Sequence, residues 1–199
     1  MKTIPESALN GSDVADNASN GSEPTFVGAT AWAGSELVNF RQAGRGKPVL
    51  LLGAGAESGV EIQLASELAS RFRVVLPSIA TPSGNGKTAE SGRSATSLGE
   101  TIELFLDTLG FSRVSLIATP PFASAALAYA LMDTERIERL VIFIDDRLRN
   151  GAPIPLTDRL SDSGIPLIAM SWPDTQPDGV RESCVSTMIQ EVATFLGDS

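Results

Sequence analysis

Histidine is missing from all 199 residues of this chain. Its imidazole is the one side chain that ordinarily titrates near neutral pH, so it is the usual general base for a nucleophilic serine or cysteine. Its absence excludes a Ser-His-acid triad, a Cys-His nucleophile and every His-ligated metal site. Cysteine is nearly absent too. The single Cys184 cannot close an intramolecular disulfide, and there is no CxxC or Cys/His cluster for zinc. It is expected as a half-buried small side chain of a C-terminal helix rather than a reactive thiol. Positive charge is in deficit: 15 Lys and Arg stand against 24 Asp and Glu, a net −9. That balance argues against binding a nucleic-acid backbone or an anionic membrane surface. No apolar run approaches the ~18 residues that would suggest a membrane span. The opening Met1-Lys2-Thr3-Ile4-Pro5-Glu6 lacks the apolar core of a signal peptide. The expected location is therefore cytoplasmic, and the Asn-x-Ser matches at Asn10, Asn17 and Asn20 are read as coincidence.

What remains is ordinary for a folded domain: 42% apolar and 20% charged residues. The length suits one domain with a sizeable core. Residues 1–24 hold Ser, Asn, Gly, Asp and Glu with few apolar side chains, a composition that cannot offset its ordering entropy. They are expected to form a disordered acidic tail, leaving 25–199 as a single domain. Thr25–Trp32 and Glu36–Arg41 read as an antiparallel pair around Ala33-Gly34-Ser35. Pro48–Leu52 is a continuous apolar run, the mark of a strand buried on both faces. An amphipathic helix is predicted over Glu61–Arg71, then a strand over Arg73–Leu76 ended by Pro77. A Gly/Ser/Thr-rich loop, Thr81–Ser94, leads to a helix over Ser97–Leu109. Val114–Ala118, Leu140–Ile144 and Ile165–Met170 read as strands, Ser124–Met132 and Ser186–Leu196 as helices. Strands alternating with helices after an antiparallel opening predict an α/β fold: a mostly parallel sheet covered on both faces.

In this order the segments resemble the α/β-hydrolase fold over residues 25 to 197. The stretch Phe40–Leu52 is similar to that superfamily's second and third strands, and Leu68–Pro77 to its first crossover helix and next strand. Gly84-Asn85-Gly86-Lys87-Thr88 looks like its G-x-G-x-S loop, Leu106–Ile117 like the helix and strand before the nucleophile, and Arg139–Asp145 like the strand after it. The resemblance implies a G-x-S-x-G nucleophile elbow after the strand at Val114–Ala118. The chain instead reads Ala118-Thr119-Pro120-Pro121-Phe122. Pro120 occupies the place of the serine, and it has no hydroxyl and a φ held near −65°. Pro121 replaces the residue whose N–H would help bind an oxyanion, and proline has none. Ala118 and Phe122 replace the glycines. Gly53-Ala54 stands where the family has His-Gly, and Asp174 lies near the place of the catalytic acid, where a surface-turn aspartate is the plainer reading. The interval from Asp174 to the last helix has no room for the strand and loop that would carry the histidine. The cap between Asp145 and Ile165 is reduced to a short loop. The resemblance thus implies a degenerate, truncated member, and the reading leans away from an enzyme.

Other chemistries are weaker. Gly53-Ala54-Gly55-Ala56-Glu57-Ser58-Gly59 is GxGxxxG rather than the dinucleotide-binding GxGxxG, and Leu76-Pro77-Ser78 lacks the ribose-binding acid. Gly86-Lys87-Thr88 has Thr81 where a phosphate loop needs glycine. Asp145-Asp146 could hold Mg²⁺ or move protons, but reads more simply as a strand-end pair beside Arg147 and Arg149. Thr119 and Ser124 are hydroxyls near the vestigial elbow with no base in sight. No metal or cofactor is expected. With the last strand lost, the strand at Ile165–Met170 would become an apolar sheet edge, and Ile165, Leu167, Ile168 and Met170 are interface candidates for a homodimer or a protein partner. The alternative is a small apolar ligand in a vestigial pocket, with Gly53, Ala54, Asp145, Trp172 and Asp174 as candidates and Pro121 and Phe122 nearby. A further alternative is an atypical hydrolase without a triad.

Overall fold

The computed structural model describes residues 24–53, 59–79, 95–144, 163–173 and 182–197. Along these, the chain forms β1 (Val27–Ala33), β2 (Glu36–Ala43), β3 (Pro48–Leu52), α1 (Gly59–Ala69), β4 (Arg73–Ser78) and α2 (Ala95–Thr108). There follow β5 (Val114–Ala118), a 3₁₀ turn (Pro120–Phe122), α3 (Ala123–Met132), β6 (Ile137–Ile144), β7 (Leu167–Ser171) and a last helix, α4 (Glu182–Gly197). One seven-stranded sheet runs in the order β1-β2-β4-β3-β5-β6-β7. From β4 to β7 neighbouring strands are parallel, while β2 is antiparallel to both β1 and β4.

The uninterrupted apolar strands divide their side chains between two cores. Leu50, Leu52, Leu116, Ala118, Leu140 and Ile142 face the core shared with α2 and α3. Their neighbours Val49, Leu51, Ile117, Val141 and Phe143 face the opposite core, with Leu64 and Leu68 of α1 and Val192 and Leu196 of α4. Alternate residues of a strand point to opposite faces, so a sheet covered on both sides needs apolar residues at every position. Full burial of each such Val, Leu, Ile or Phe side chain contributes about 1.5–3 kcal/mol.

Five strands differ from the sequence expectation. β1 is Val27–Ala33 rather than Thr25–Trp32, β2 runs on to Ala43, and β7 is Leu167–Ser171 rather than Ile165–Met170. β4 and β6 differ for a physical reason. Pro77 does not end β4; it lies inside the strand, opposite Phe40 of β2. Pairing between β3 and β4 stops at Val75, so among the described residues Pro77 is flanked by β2 alone and a missing N–H is tolerated. The strand expected at Leu140 begins at Ile137. Glu138 and Arg139 conceal its start, because they break the apolar run while finding partners: Lys47 Nζ donates to Glu138 Oε1 at 2.8 Å, and Arg139 to the Phe195 carbonyl at 2.6 Å. Gly44, with φ at 77°, turns β2 into β3 hard against α1: a Cβ there would sit 2.1 Å from the Phe72 carbonyl oxygen.

The expected tail, the loop at Thr81–Ser94, and Ala54, Asp145, Asp146 and Asp174 all lie outside the described residues. Among the described residues no helix is long and apolar enough to cross a membrane.

Candidate functional site

In a parallel sheet of this kind, ligand sites form beyond the carboxyl ends of the strands. Here β3 and β5 end side by side, Leu52 against Ala118, and the Thr119 N–H continues the ladder by donating to the Leu52 carbonyl at 2.9 Å. Thr119 is extended, with φ −80° and ψ 166°. The chain then folds into the single turn Pro120–Phe122, closed by the Phe122 N–H donating to the Thr119 carbonyl at 2.9 Å. Proline suits such a helical first turn because no N–H is required there. The elbow segment therefore enters α3 smoothly. Pro120 is half-buried, Pro121 is exposed, and Phe122 is buried in the core beside α3 rather than lining a crevice. Ser124 is exposed on α3.

The feature that sequence reasoning missed is Glu61. It is 3% exposed, on the first turn of α1, and its Oε1 accepts a hydrogen bond from the Thr119 hydroxyl at 2.9 Å. Thr119 itself is wholly buried. The same carboxylate fills the space over Gly53: a Cβ on that glycine would lie 2.6 Å from the carboxyl carbon and from both oxygens. An acid at a helix N-terminus complements the helix dipole. One signal pointed to its burial: Glu61 shares the helical face of Leu64, Ala65 and Leu68, at spacings of three, four and seven, where apolar residues belong.

The arrangement has a chemical consequence. Acyl transfer requires donors aimed at a developing oxyanion. At the end of β3 this chain sets a carboxylate. The hydroxyl nearest the elbow, Thr119, has an acceptor after all, contrary to the expectation that no base was in reach, but the pair is sealed from solvent.

The remaining candidates fall elsewhere. Trp172 packs edge-to-face on Phe143, with centroids 5.0 Å apart, in the core that carries α4. It thus sits beyond β7 and borders a cavity of about 740 Å³ between β7 and α4, whereas Gly53 lies buried under Glu61. Ile165 is buried in the opposite core, while Leu167, Ile168 and Met170 are half-buried along β7. Cys184 is on α4 as expected but exposed, because it precedes the helix turn whose Val185, Met188 and Ile189 face the sheet. Among the described residues no group of three or more His, Cys, Asp or Glu is placed to hold a metal ion.

No protein-family model matches the chain, and no curated protein does. Solved structures do. A predicted CIB-like hydrolase from Thermoplasma acidophilum is similar over 86% of this chain and 99% of its own, at 11% identity and a TM-score of 0.55. A serine hydrolase involved in carbazole degradation is 21% identical over 60% of this chain and 48% of its own, with a TM-score of 0.50. A meta-cleavage product hydrolase from Pseudomonas fluorescens is 24% identical over 58% of this chain, with a TM-score of 0.48. The match spans only 44% of the length of that last enzyme. Sheet order, crossover helices and the likeness to the first two of these define the class: the chain has the α/β-hydrolase fold.

Proposed function

We propose that this is a non-hydrolytic α/β-hydrolase-fold protein that acts by associating with another protein through the edge of β7. The carrying observation is the state of that edge. Among the described residues β7 pairs only with β6, and its outer side is bordered by the apolar cavity against α4. Open edges of apolar strands are templates for another chain. Loss of hydrolysis follows from Pro120 at the place of the nucleophile, from the sealed Thr119–Glu61 pair, and from a chain without histidine.

The test is native mass spectrometry of the full-length protein purified gently from its own cells, with a panel of esters and a serine-directed covalent probe run in parallel. A defined partner or a dimer, with no turnover and no labelling, is the expected result. Ester turnover that survives stringent purification would overturn the reading in favour of a hydrolase, the activity its structural neighbours are named for. A second reading, a small apolar ligand, rests on the cavity of about 740 Å³, a size within the ~300–1,000 Å³ of ligand sites. A monomer carrying a small-molecule adduct would favour it.

A further inference from the structure

The register of β7 shows which of its backbone groups are left without a partner strand among the described residues. The Leu140 N–H donates to the Pro166 carbonyl at 2.9 Å, and the Trp172 N–H donates to the Ile144 carbonyl at 2.8 Å. In a parallel pair, alternate residues direct both polar groups to the same neighbour. Residues 166, 168, 170 and 172 therefore serve β6, and Leu167, Ala169 and Ser171 turn their N–H and C=O groups outward. Ala169 and Ser171 are exposed.

Beyond that edge lies a groove with two walls. Every residue from Ile168 to Pro173 lines the larger cavity, which requires it to run along the strand edge rather than over one face. The opposing wall is α4, through Cys184, Met188 and Glu191. A second cavity of about 460 Å³ shares Ile168 and Glu191 and extends the groove towards Phe195. The five residues of β7 span ~17 Å, enough for a short added strand. Among the described residues Glu191 is the one charged side chain along either cavity, and it is exposed.

From this we infer that the groove between β7 and α4 binds an extended peptide segment of a partner, added as a further strand, with apolar residues alternating with a basic one opposite Glu191. The inference deepens the association reading and rests on it. Outward backbone groups supply affinity, and the strand–helix groove reads alternate side chains. Charge selects the occupant. A second copy paired edge to edge about a two-fold axis would bring a second Glu191 and a second net charge of −9 to the same place. A lysine- or arginine-bearing strand meets complementary charge instead.

The experiment is selection of a random-peptide library displayed on phage against the full-length protein, followed by titration of the enriched peptides as synthetic fragments. Amide hydrogen exchange is read by NMR. Enriched peptides should alternate apolar with Lys or Arg, and their binding should slow exchange at Leu167, Ala169 and Ser171. Ala169→Pro removes an outward N–H at an edge position where proline is tolerated, and should weaken the peptide at least tenfold. Glu191→Lys, an exposed change that leaves the core intact, should turn the selection towards acidic peptides. No enrichment, or peptides indifferent to both substitutions, overturns the inference. Sedimentation of the same proteins separates the two failures. A dimer dissociated by Ala169→Pro keeps association at β7 but makes a second copy the occupant; a monomer with no enriched peptide ends both readings.

Discussion

At the residue scale, Glu61 carries more consequence than any motif in the chain. Its carboxylate is buried, holds the Thr119 hydroxyl at 2.9 Å and occupies the space above Gly53. Gly53→Ala must drive it out, so loss of the hydrogen bond and displacement of a buried polar group should cost about 1–3 kcal/mol in chemical denaturation. Pro120→Ser restores a hydroxyl at the elbow but neither a base nor an oxyanion site, so the variant should remain unlabelled by a fluorophosphonate probe. Labelling of that variant would show that a base had gone unrecognised. A second buried polar group behaves differently. The Tyr129 hydroxyl is buried and, among the described residues, has no hydrogen-bond partner. Burial, helped by the Asp133 charge, pushes the phenol up to about 12 from 10.0, while Arg136 opposes the rise although its own hydrogen bond goes to Asp107. A raised phenol pKa stabilises the fold fully below the unfolded value, and that contribution is lost as pH rises through the folded value. Stability should therefore fall between pH 10 and about 12. Tyr129→Phe, which removes an unpaired hydroxyl and leaves the ring, should match or exceed the parent in stability at neutral pH and flatten that alkaline loss.

Elements were legible where one physical rule sufficed. The continuous runs at Pro48–Leu52 and Val114–Ala118 are strands with the expected boundaries, since burial on both faces demands unbroken apolar residues. Boundaries failed where partners distant in sequence decided them, as at Pro77 and at Glu138–Arg139. The site was less legible than the fold. Pro120 and Pro121 announced a lost elbow, but Glu61 became visible as a plug only when α1 docked over β3. One helix offers a direct test of packing. Gly99 lies inside α2, and a Cβ there would meet the Tyr129 ring at 3.6 Å and Met132 at 3.8 Å, ordinary contacts. Gly99→Ala should stabilise the protein by about 0.5–1 kcal/mol, read as a raised thermal midpoint. A fall would mean that α2 and α3 pack more closely than these distances allow.

At the scale of the molecule, the sheet ends in two unlike edges. The β1–β2 hairpin lays one face on α2, through Ala31, Ala33 and Val38, and leaves Trp32 and Leu37 side by side on the other, 58% and 49% exposed. Both edge strands also present backbone, since among the described residues β1 pairs only with β2 and β7 only with β6. The association reading settles on β7 because there the directional hydrogen bonds of an open strand adjoin an apolar groove walled by α4. Leu116, wholly buried at the centre of the sheet, gives the contrasting measure. Leu116→Ala should cost about 2–5 kcal/mol in denaturant unfolding, since the surrounding core cannot collapse into the space. Changes at the exposed Ala169 should leave stability nearly untouched.

The sequence by itself determined the class of fold, the two-sided burial of the central strands, and the exclusion of histidine chemistry. Each of these is set by residue type and local period, which need no knowledge of distant neighbours. Only the tertiary structure decided that Glu61 covers Gly53 and holds Thr119, that Trp172 stands beyond β7 rather than at the elbow, and that Ala169 and Ser171 turn their amides outward. These depend on strand order, register and helix docking, and a side chain's surroundings there are fixed by residues tens of positions away in the chain.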